Sequence, residues 1–354
     1  MKINIILPSF PLRASGGHKI MYEYANRLSR LGHEIVIYHS LYVPFVKYNM
    51  PLFLRKIRIN TFHNNSKPNW FLFETKVRLK TISKIRNFSI EDGDILMSTW
   101  FSTNFETMKL PDRKGKKVNL IQGFENWNGH IDKVFESYKL PIEHIVISDY
   151  LADMVEKQNG KRPRIIYNAI DSTKFHITEK IENRNPYSIS MLYSKLPIKG
   201  SDYGIEAFRI CKEKYPDLKV TLFSISQRPS NLPNWIKFFQ SPPNLIEIYN
   251  NSAIFFSPSI GEGWALPPAE AMNCGCALVC TDIGGHATYA INNKTALLVK
   301  PQDSVDMAQK LCSLLENTDL RIKFAKQGYE YIKEFTWENS INKMESILAS
   351  LAGR

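Results

Sequence analysis

The residues most able to do chemistry lie in one run, Ser257-Pro258-Ser259-Ile260-Gly261-Glu262-Gly263-Trp264-Ala265-Leu266-Pro267-Pro268-Ala269-Glu270-Ala271-Met272. The apolar stretch Ile254-Phe255-Phe256 leads into it and reads as a buried strand. Gly261 and Gly263 mark a loop, and the proline pair marks the opening of a helix, where a missing N–H costs nothing. The main-chain N–H groups of Gly263, Trp264, Ala265 and Leu266 then fall at or beside a helix N-terminus. Such an end attracts phosphate through hydrogen bonds and the helix dipole together. Two carboxylates, Glu262 on the loop and Glu270 at the start of the helix, stand eight residues apart. A carboxylate accepts two hydrogen bonds from vicinal hydroxyls, as on a ribose or a sugar ring. A diphosphate with sugars at both ends fits this set. The plainer alternative is an acidic helix start in which Glu270 only complements the dipole.

Other candidates are looser. Ser194, Lys195 and Lys199 lie in Tyr193-Ser194-Lys195-Leu196-Pro197-Ile198-Lys199-Gly200, a turn after a strand. Gly16-Gly17 follows the first strand, where glycine allows a close main-chain approach, and His18 comes next. The strand ending near Ile121 runs into Gln122-Gly123-Phe124-Glu125-Asn126-Trp127. Glu125 is the only carboxylate there and so the candidate general base for a bound hydroxyl. Gln122, Asn126 and His18 are candidate contacts for the molecule that carries that hydroxyl. Asp92-Gly93-Asp94 spells a metal-binding pattern but precedes the strand Ile95–Met97, so it reads as a turn. Cys274, Cys276 and Cys280 lack a fourth nearby ligand and read as buried structural cysteines. No Walker loop, Gly-x-Gly-x-x-Gly fingerprint or local nucleophile motif occurs.

The elements that position these residues follow a repeated rhythm. Ile3–Pro8 reads as a strand, Ser15-Gly16-Gly17 as a loop, and Ile20, Tyr24, Ala25, Leu28 and Leu31 as a helix face ended by Gly32. His33–Tyr38 is the next strand, which completes a βαβ unit and predicts a parallel sheet. Further strands are expected at Ile95–Ser98, Lys117–Gln122 and Ile145–Ser148. The second half restarts at Ser188–Tyr193, with strands at Leu218–Ser224, Ala277–Thr281 and Thr295–Val299 and helices at Tyr203–Lys214, Ser304–Glu316, Leu320–Glu334 and Trp337–Leu351. At 354 residues, two α/β domains are expected. Ligands of such sheets sit on the loops after the strands.

Composition narrows the class. Apolar residues make up 44% and charged residues 23%, which excludes a disordered or low-complexity chain. No apolar run reaches the roughly 18 residues of a spanning helix, and the N-terminus reads as a strand instead of a signal peptide. Five cysteines, an odd number, predict no disulfide framework and a reducing cytoplasm. The net charge of +12 is uneven: residues 1–170 carry +11 and residues 171–354 carry +1. The densest basic stretch, residues 53–88, interleaves Lys and Arg with Leu, Ile and Phe. That mixture suits a solvated helix face or an anionic membrane surface, and no nucleic-acid module accompanies it.

The Glu262–Glu270 run resembles the Glu-x7-Glu motif of retaining glycosyltransferases of family 4, which have the GT-B fold. Thr281-Asp282-Ile283-Gly284-Gly285 and Leu297-Leu298-Val299 resemble the family's following segments, so the resemblance spans about residues 187–340. It implies two Rossmann-like domains, 1–168 and 169–336, facing across a cleft, with the helix of 337–354 returning to the first. It implies that Glu270 binds the nucleotide ribose, that Glu262 contacts the transferred sugar, and that Gly263–Leu266, Gly16 and Gly17 approach the diphosphate. Lys199 matches the family's donor lysine. Ser194 stands where an arginine is usual, with Lys195 beside it. A histidine usual near Gln122 is absent.

The implied reaction is metal-independent transfer of a sugar, hexosyl or deoxyhexosyl, from a nucleoside diphosphate sugar to a glycan or lipid-linked acceptor in surface polysaccharide assembly. It would take place in the cytoplasm, peripheral on the inner face of the cell membrane. The two departures leave one alternative, a catalytically silent GT-B subunit partnering an active transferase. Nucleic acid is not an expected partner.

Overall fold

In the computed structural model, residues 1–62, 67–126 and 129–354 are described. Part of the basic stretch of residues 53–88, together with Trp127, lies outside them. The chain divides into two units, residues 1–167 with 338–354, and residues 168–337.

The first unit runs β1 (Lys2–Leu7), α1 (Gly16–Arg30), β2 (Glu34–Ser40), α2 (Leu52–Phe62), β3 (Arg78–Ile82), β4 (Ile95–Thr99), α3 (Phe101–Thr107), β5 (Lys116–Ile121), α4 (Ile131–Tyr138), β6 (Glu143–Val146), α5 (Asp149–Asn159) and β7 (Arg164–Ile165). The second runs β8 (Ser188–Leu192), α6 (Ser201–Lys214), β9 (Lys219–Ser224), β10 (Lys237–Gln240), α7 (Leu245–Asn250), β11 (Ile254–Ser257), α8 (Leu266–Asn273), β12 (Ala277–Thr281), β13 (Ala296–Val299), α9 (Ser304–Glu316) and α10 (Thr318–Ile332). The last helix, α11 (Trp337–Leu351), falls almost wholly in the first unit, where the Ser340 hydroxyl donates to the Tyr167 carbonyl at 2.9 Å.

Both sheets are parallel throughout. Their strand orders are β3-β2-β1-β4-β5-β6-β7 and β10-β9-β8-β11-β12-β13. Parallel strands joined by helices are covered on both faces, which is why β1, β4 and β12 are near-continuous apolar runs with almost no exposure. The order reverses between β1 and β4 in the first sheet and between β8 and β11 in the second. A crevice opens at such a reversal, beyond the carboxyl ends of the two strands. The loops after β1, β4, β8 and β11 are therefore where each unit can hold a ligand.

Two local expectations need correction. Gly16 and Gly17 are not in a loop but form the first turn of α1, because extended Ser15 already serves as its N-cap. Glu270 is the fifth residue of α8, one residue further in than expected and so just past the first turn, because the helix begins at Leu266 before the proline pair. The five cysteines are all free thiols. Among the described residues no group of three or more His, Cys, Asp or Glu is placed to hold a metal ion. Among them, too, no helix is long and apolar enough to cross a membrane. The Asp92–Asp94 turn is spent on structure: Asp92 pairs with Lys114 at 2.7 Å and Asp94 accepts from the Lys2 N–H at 2.7 Å.

Candidate functional site

In the second unit, the two strands that flank the reversal deliver opposite charges to one point. After β8 the chain makes a 3-10 turn, Pro197–Lys199, closed by Gly200 in the left-handed region at φ 63°. After β11 it runs through Ser257-Pro258-Ser259. The Ile260 N–H donates to the Ile198 carbonyl at 2.8 Å, which ties the two loops together. The Lys199 Nζ then lies 2.6 Å from Glu262 Oε1 and 2.7 Å from Oε2. Ser259 Oγ donates to Glu262 Oε1 at 2.8 Å. Lys199, Ser259, Glu262, Pro267 and Pro268 line one small cavity.

Glu262 is held from behind as well. The Thr281 hydroxyl at the end of β12 donates to the Ser259 carbonyl. Buried His286 places Nδ1 2.9 Å from the Thr281 carbonyl and Nε2 3.2 Å from the Ser257 hydroxyl. That pairing assigns the proton to Nδ1, and burial lowers the imidazole pKa, so the ring is neutral. A Cβ on Gly285 would fall 2.4 Å from the Glu262 carbonyl oxygen, so only glycine allows this segment to lie against the Glu262 main chain. The carboxylate position is thus set by β11 and β12 together.

The start of α8 is strained and braced. Ala265 has φ 59° and ψ 94°, a conformation rare outside glycine. The Tyr289 hydroxyl donates to the Ala265 carbonyl at 2.9 Å. The Trp264 ring is buried edge-on against Tyr289, with centroids 5.0 Å apart, so Trp264 offers a ligand its main chain and not its ring. Buried Glu270 accepts from the Tyr249 hydroxyl at 3.2 Å. Burial pushes the Tyr249 pKa well up, so this phenol remains a donor. Across the turn, the Ser194 hydroxyl accepts from the Leu196 N–H at 3.2 Å, and Lys195 is exposed.

The first unit gathers a second set at its own reversal. Gln122, after β5, donates to the Thr99 hydroxyl at 3.0 Å and to the Gly17 carbonyl at 3.2 Å, joining the ends of β4 and β5 to the start of α1. A Cβ on Gly17 would meet the Gln122 amide at an ordinary 3.6 Å. His18 lies 2.8 Å from the Ser15 hydroxyl through Nδ1 and 3.2 Å from the Ser9 carbonyl through Nε2. Burial lowers its pKa, which keeps it neutral. Asn126 is exposed.

Glu125 is placed differently from its neighbours. It is buried, and its Oε2 accepts the Phe101 N–H at 2.6 Å, which caps α3 from another loop. The residue between β4 and α3, Trp100, has φ 74° and is fixed by this bond.

Burial raises the Glu125 pKa from 4.5 to about 8. The folded chain therefore keeps this proton from pH 4.5 to 8 while the unfolded chain loses it. Stability is full below pH 4.5 and falls until about pH 8. At about 1.4 kcal/mol per pKa unit, the loss is on the order of 3 kcal/mol at pH 7. Glu125→Gln keeps an acceptor for Phe101 and removes the titration. We expect the variant to match the wild type near pH 4.5 and to exceed it increasingly up to pH 8, in urea unfolding across that range. Parallel pH profiles for the two proteins would show that Glu125 is ionised in the fold.

Ser259, Thr281, His286, Tyr249 and Tyr289 brace the candidate site, and the sequence alone assigns them no role there. Only Ser259 carried a local signal, a hydroxyl three residues before Glu262.

Residues 174–331 match the family model described as glycosyl transferases group 1. A glycosyltransferase of Methanocaldococcus jannaschii is 22% identical over 59% of this chain and 59% of its own length. A D-inositol 3-phosphate glycosyltransferase of Corynebacterium urealyticum is 27% identical over 44% of this chain and 41% of its own. The chain thus spans between about two fifths and three fifths of these relatives. Among solved structures, HepE of Anabaena in complex with UDP and glucose superposes with a TM-score of 0.72 at 14% identity, covering 99% of this chain and 100% of that one. The chain has the GT-B fold of these glycosyltransferases, and its segment 174–331 matches the glycosyl transferases group 1 domain.

Proposed function

We propose that the chain is a retaining glycosyltransferase that moves a hexosyl or deoxyhexosyl group from a nucleoside diphosphate sugar to an acceptor hydroxyl. The observation that carries this reading is the meeting of Lys199 and Glu262 at the strand reversal of the second sheet, beside the braced start of α8. Glu270 would accept from the ribose hydroxyls and Glu262 from the transferred sugar. Lys199 and the main chain of Gly263–Leu266 would meet the charge that grows on the diphosphate as the sugar–oxygen bond breaks. No metal is needed for that charge. The acceptor proton would pass to a donor phosphate oxygen on the same face, so no protein nucleophile is required and the configuration is retained. The acceptor would be a glycan or lipid-linked saccharide, met by the Gln122, Asn126 and His18 face of the first unit. HepE was solved with UDP, which makes UDP the first nucleotide to try.

A thermal-shift panel of UDP, GDP, TDP, ADP and CMP tests the donor site. A nucleotide at about 100 times its dissociation constant adds about 2.7 kcal/mol to the folded state. We expect one of them to raise the melting temperature of the wild type and to have no effect on Glu270→Ala. No shift with any of the five would overturn the transferase reading in favour of a silent subunit. Transfer unaffected by EDTA is the matching result for the absence of a metal.

A further inference from the structure

Helix α2 is amphipathic the wrong way round for a protein in water. Its inner side is narrow: buried Ile59 and half-buried Leu52 pack on Phe10 and Leu41, the residues that follow β1 and β2. Its outer side is apolar. Phe53 is 63% exposed, Ile57 56% and Leu54 41%. At 100° per residue these three share one face, and exposed Lys56 and Arg58 flank it on either side. A surface helix ordinarily presents its polar residues to solvent. Arg55 is laid over the Tyr48 ring at 3.8 Å.

Charge decides what covers this face. Between Glu34 and Glu74 the chain has no acidic residue, while Lys47, Arg55, Lys56, Arg58 and Lys67 all fall in that interval. A second copy of the chain would set like charges against each other across a two-fold axis. An anionic lipid surface takes both features at once: the aromatic and aliphatic side chains enter the boundary between headgroups and acyl chains, and the flanking bases meet lipid phosphates. We infer that α2 is a membrane-docking helix, which seats the first unit on an anionic bilayer through Phe53, Leu54 and Ile57 with Lys56 and Arg58 as its electrostatic rim. Its inner contacts, Phe10 and Leu41, follow the carboxyl ends of β1 and β2, the edge of the sheet that also carries Gly17 and Gln122. A lipid-linked acceptor held in that bilayer would therefore be presented on the candidate acceptor side. The docking itself rests on exposure and charge, and not on the transferase reading.

The test is flotation of the full chain with vesicles of phosphatidylcholine alone and of phosphatidylcholine with phosphatidylglycerol. We expect the protein to float with the anionic vesicles only, and less as salt is raised. Phe53→Ser with Ile57→Ser, and separately Lys56→Glu with Arg58→Glu, should each lower the bound fraction about tenfold or more, since each basic residue near such a surface is worth about fivefold in partition. All four side chains are exposed, so the melting temperature should not move. Equal binding to both vesicle types, or wild-type binding by both double variants, would overturn the inference. So would a dimer in sedimentation equilibrium that the same substitutions dissolve. The nucleotide-induced shift, measured on the same preparations, reports the donor site independently.

Discussion

Lys199→Ala should lower the turnover of sugar transfer about 10²–10³-fold, the cost of removing one preorganised charge partner from a developing anion. The lysine is well placed for this. It is carried on a 3-10 turn pinned by Gly200, and its ammonium is already fixed within 2.7 Å of both Glu262 oxygens. Its geometry is therefore prepared before charge develops, which is what makes such a group effective. The same substitution leaves Glu262 without its cation. The Ser259 hydroxyl still donates to it at 2.8 Å, but without the ammonium the carboxylate is held less firmly, so it should bind the sugar less well and KM should rise as well. Lys195 is the control. It is exposed and lies four residues earlier. If its ammonium supplied the charge that an arginine at position 194 would give, Lys195→Ala would be as damaging as Lys199→Ala. We expect a loss of about fivefold or less for Lys195→Ala, because a surface lysine is a mobile, solvated point charge. Steady-state kinetics of the two variants side by side decide between them, and the reverse order of effects would move the donor charge to Lys195.

The fold was readable because parallel sheets advertise themselves. Strands covered on both faces, such as β1, β4 and β12, are near-continuous apolar runs, and α1 between two of the strands repeats its apolar residues at helical spacing. The same logic explains what was missed. Strands β3 (Arg78-Leu79-Lys80-Thr81-Ile82) and β10 (Lys237-Phe238-Phe239-Gln240) are short, half-exposed edge strands of mixed polarity, so neither shows the buried apolar run that marks the central strands. Helix α2 carries apolar side chains on both its inner and outer faces, so no one-sided period appears. In the candidate site, Glu262 and Glu270 stand out because glycine and proline punctuate their loop, whereas Lys199 is singled out by the family resemblance. The brace behind Glu262 did not, because Ser259, Thr281 and His286 meet only once β11 and β12 lie side by side. Glu125 shows the opposite hazard. A lone carboxylate in a loop reads as reactive, yet its partner is a main-chain N–H on a helix two elements away in sequence.

Gly200→Ala should destabilise the second unit by about 4 kcal/mol or more and abolish nucleotide binding with it. Two costs act at this position. The left-handed conformation at φ 63° disfavours any Cβ by roughly 1–2 kcal/mol. The larger cost is steric. The added Cβ would lie 2.0 Å from the Pro258 carbonyl oxygen and 3.0 Å from its carbon, and these are main-chain atoms that no rotamer change can move aside. Relief requires separating the turn after β8 from the loop after β11. That separation breaks the Ile260 to Ile198 hydrogen bond and draws Lys199 away from Glu262. Gly160→Ala isolates the first cost. Gly160 ends α5 at φ 71° with nothing within 4 Å of the added Cβ, so its substitution should cost roughly 1–2 kcal/mol and leave nucleotide binding intact. Urea unfolding and the thermal-shift panel on both variants measure the difference. A Gly200→Ala protein as stable as Gly160→Ala, and still shifted by nucleotide, would mean that the two loops separate at little cost and that the donor site does not depend on their contact.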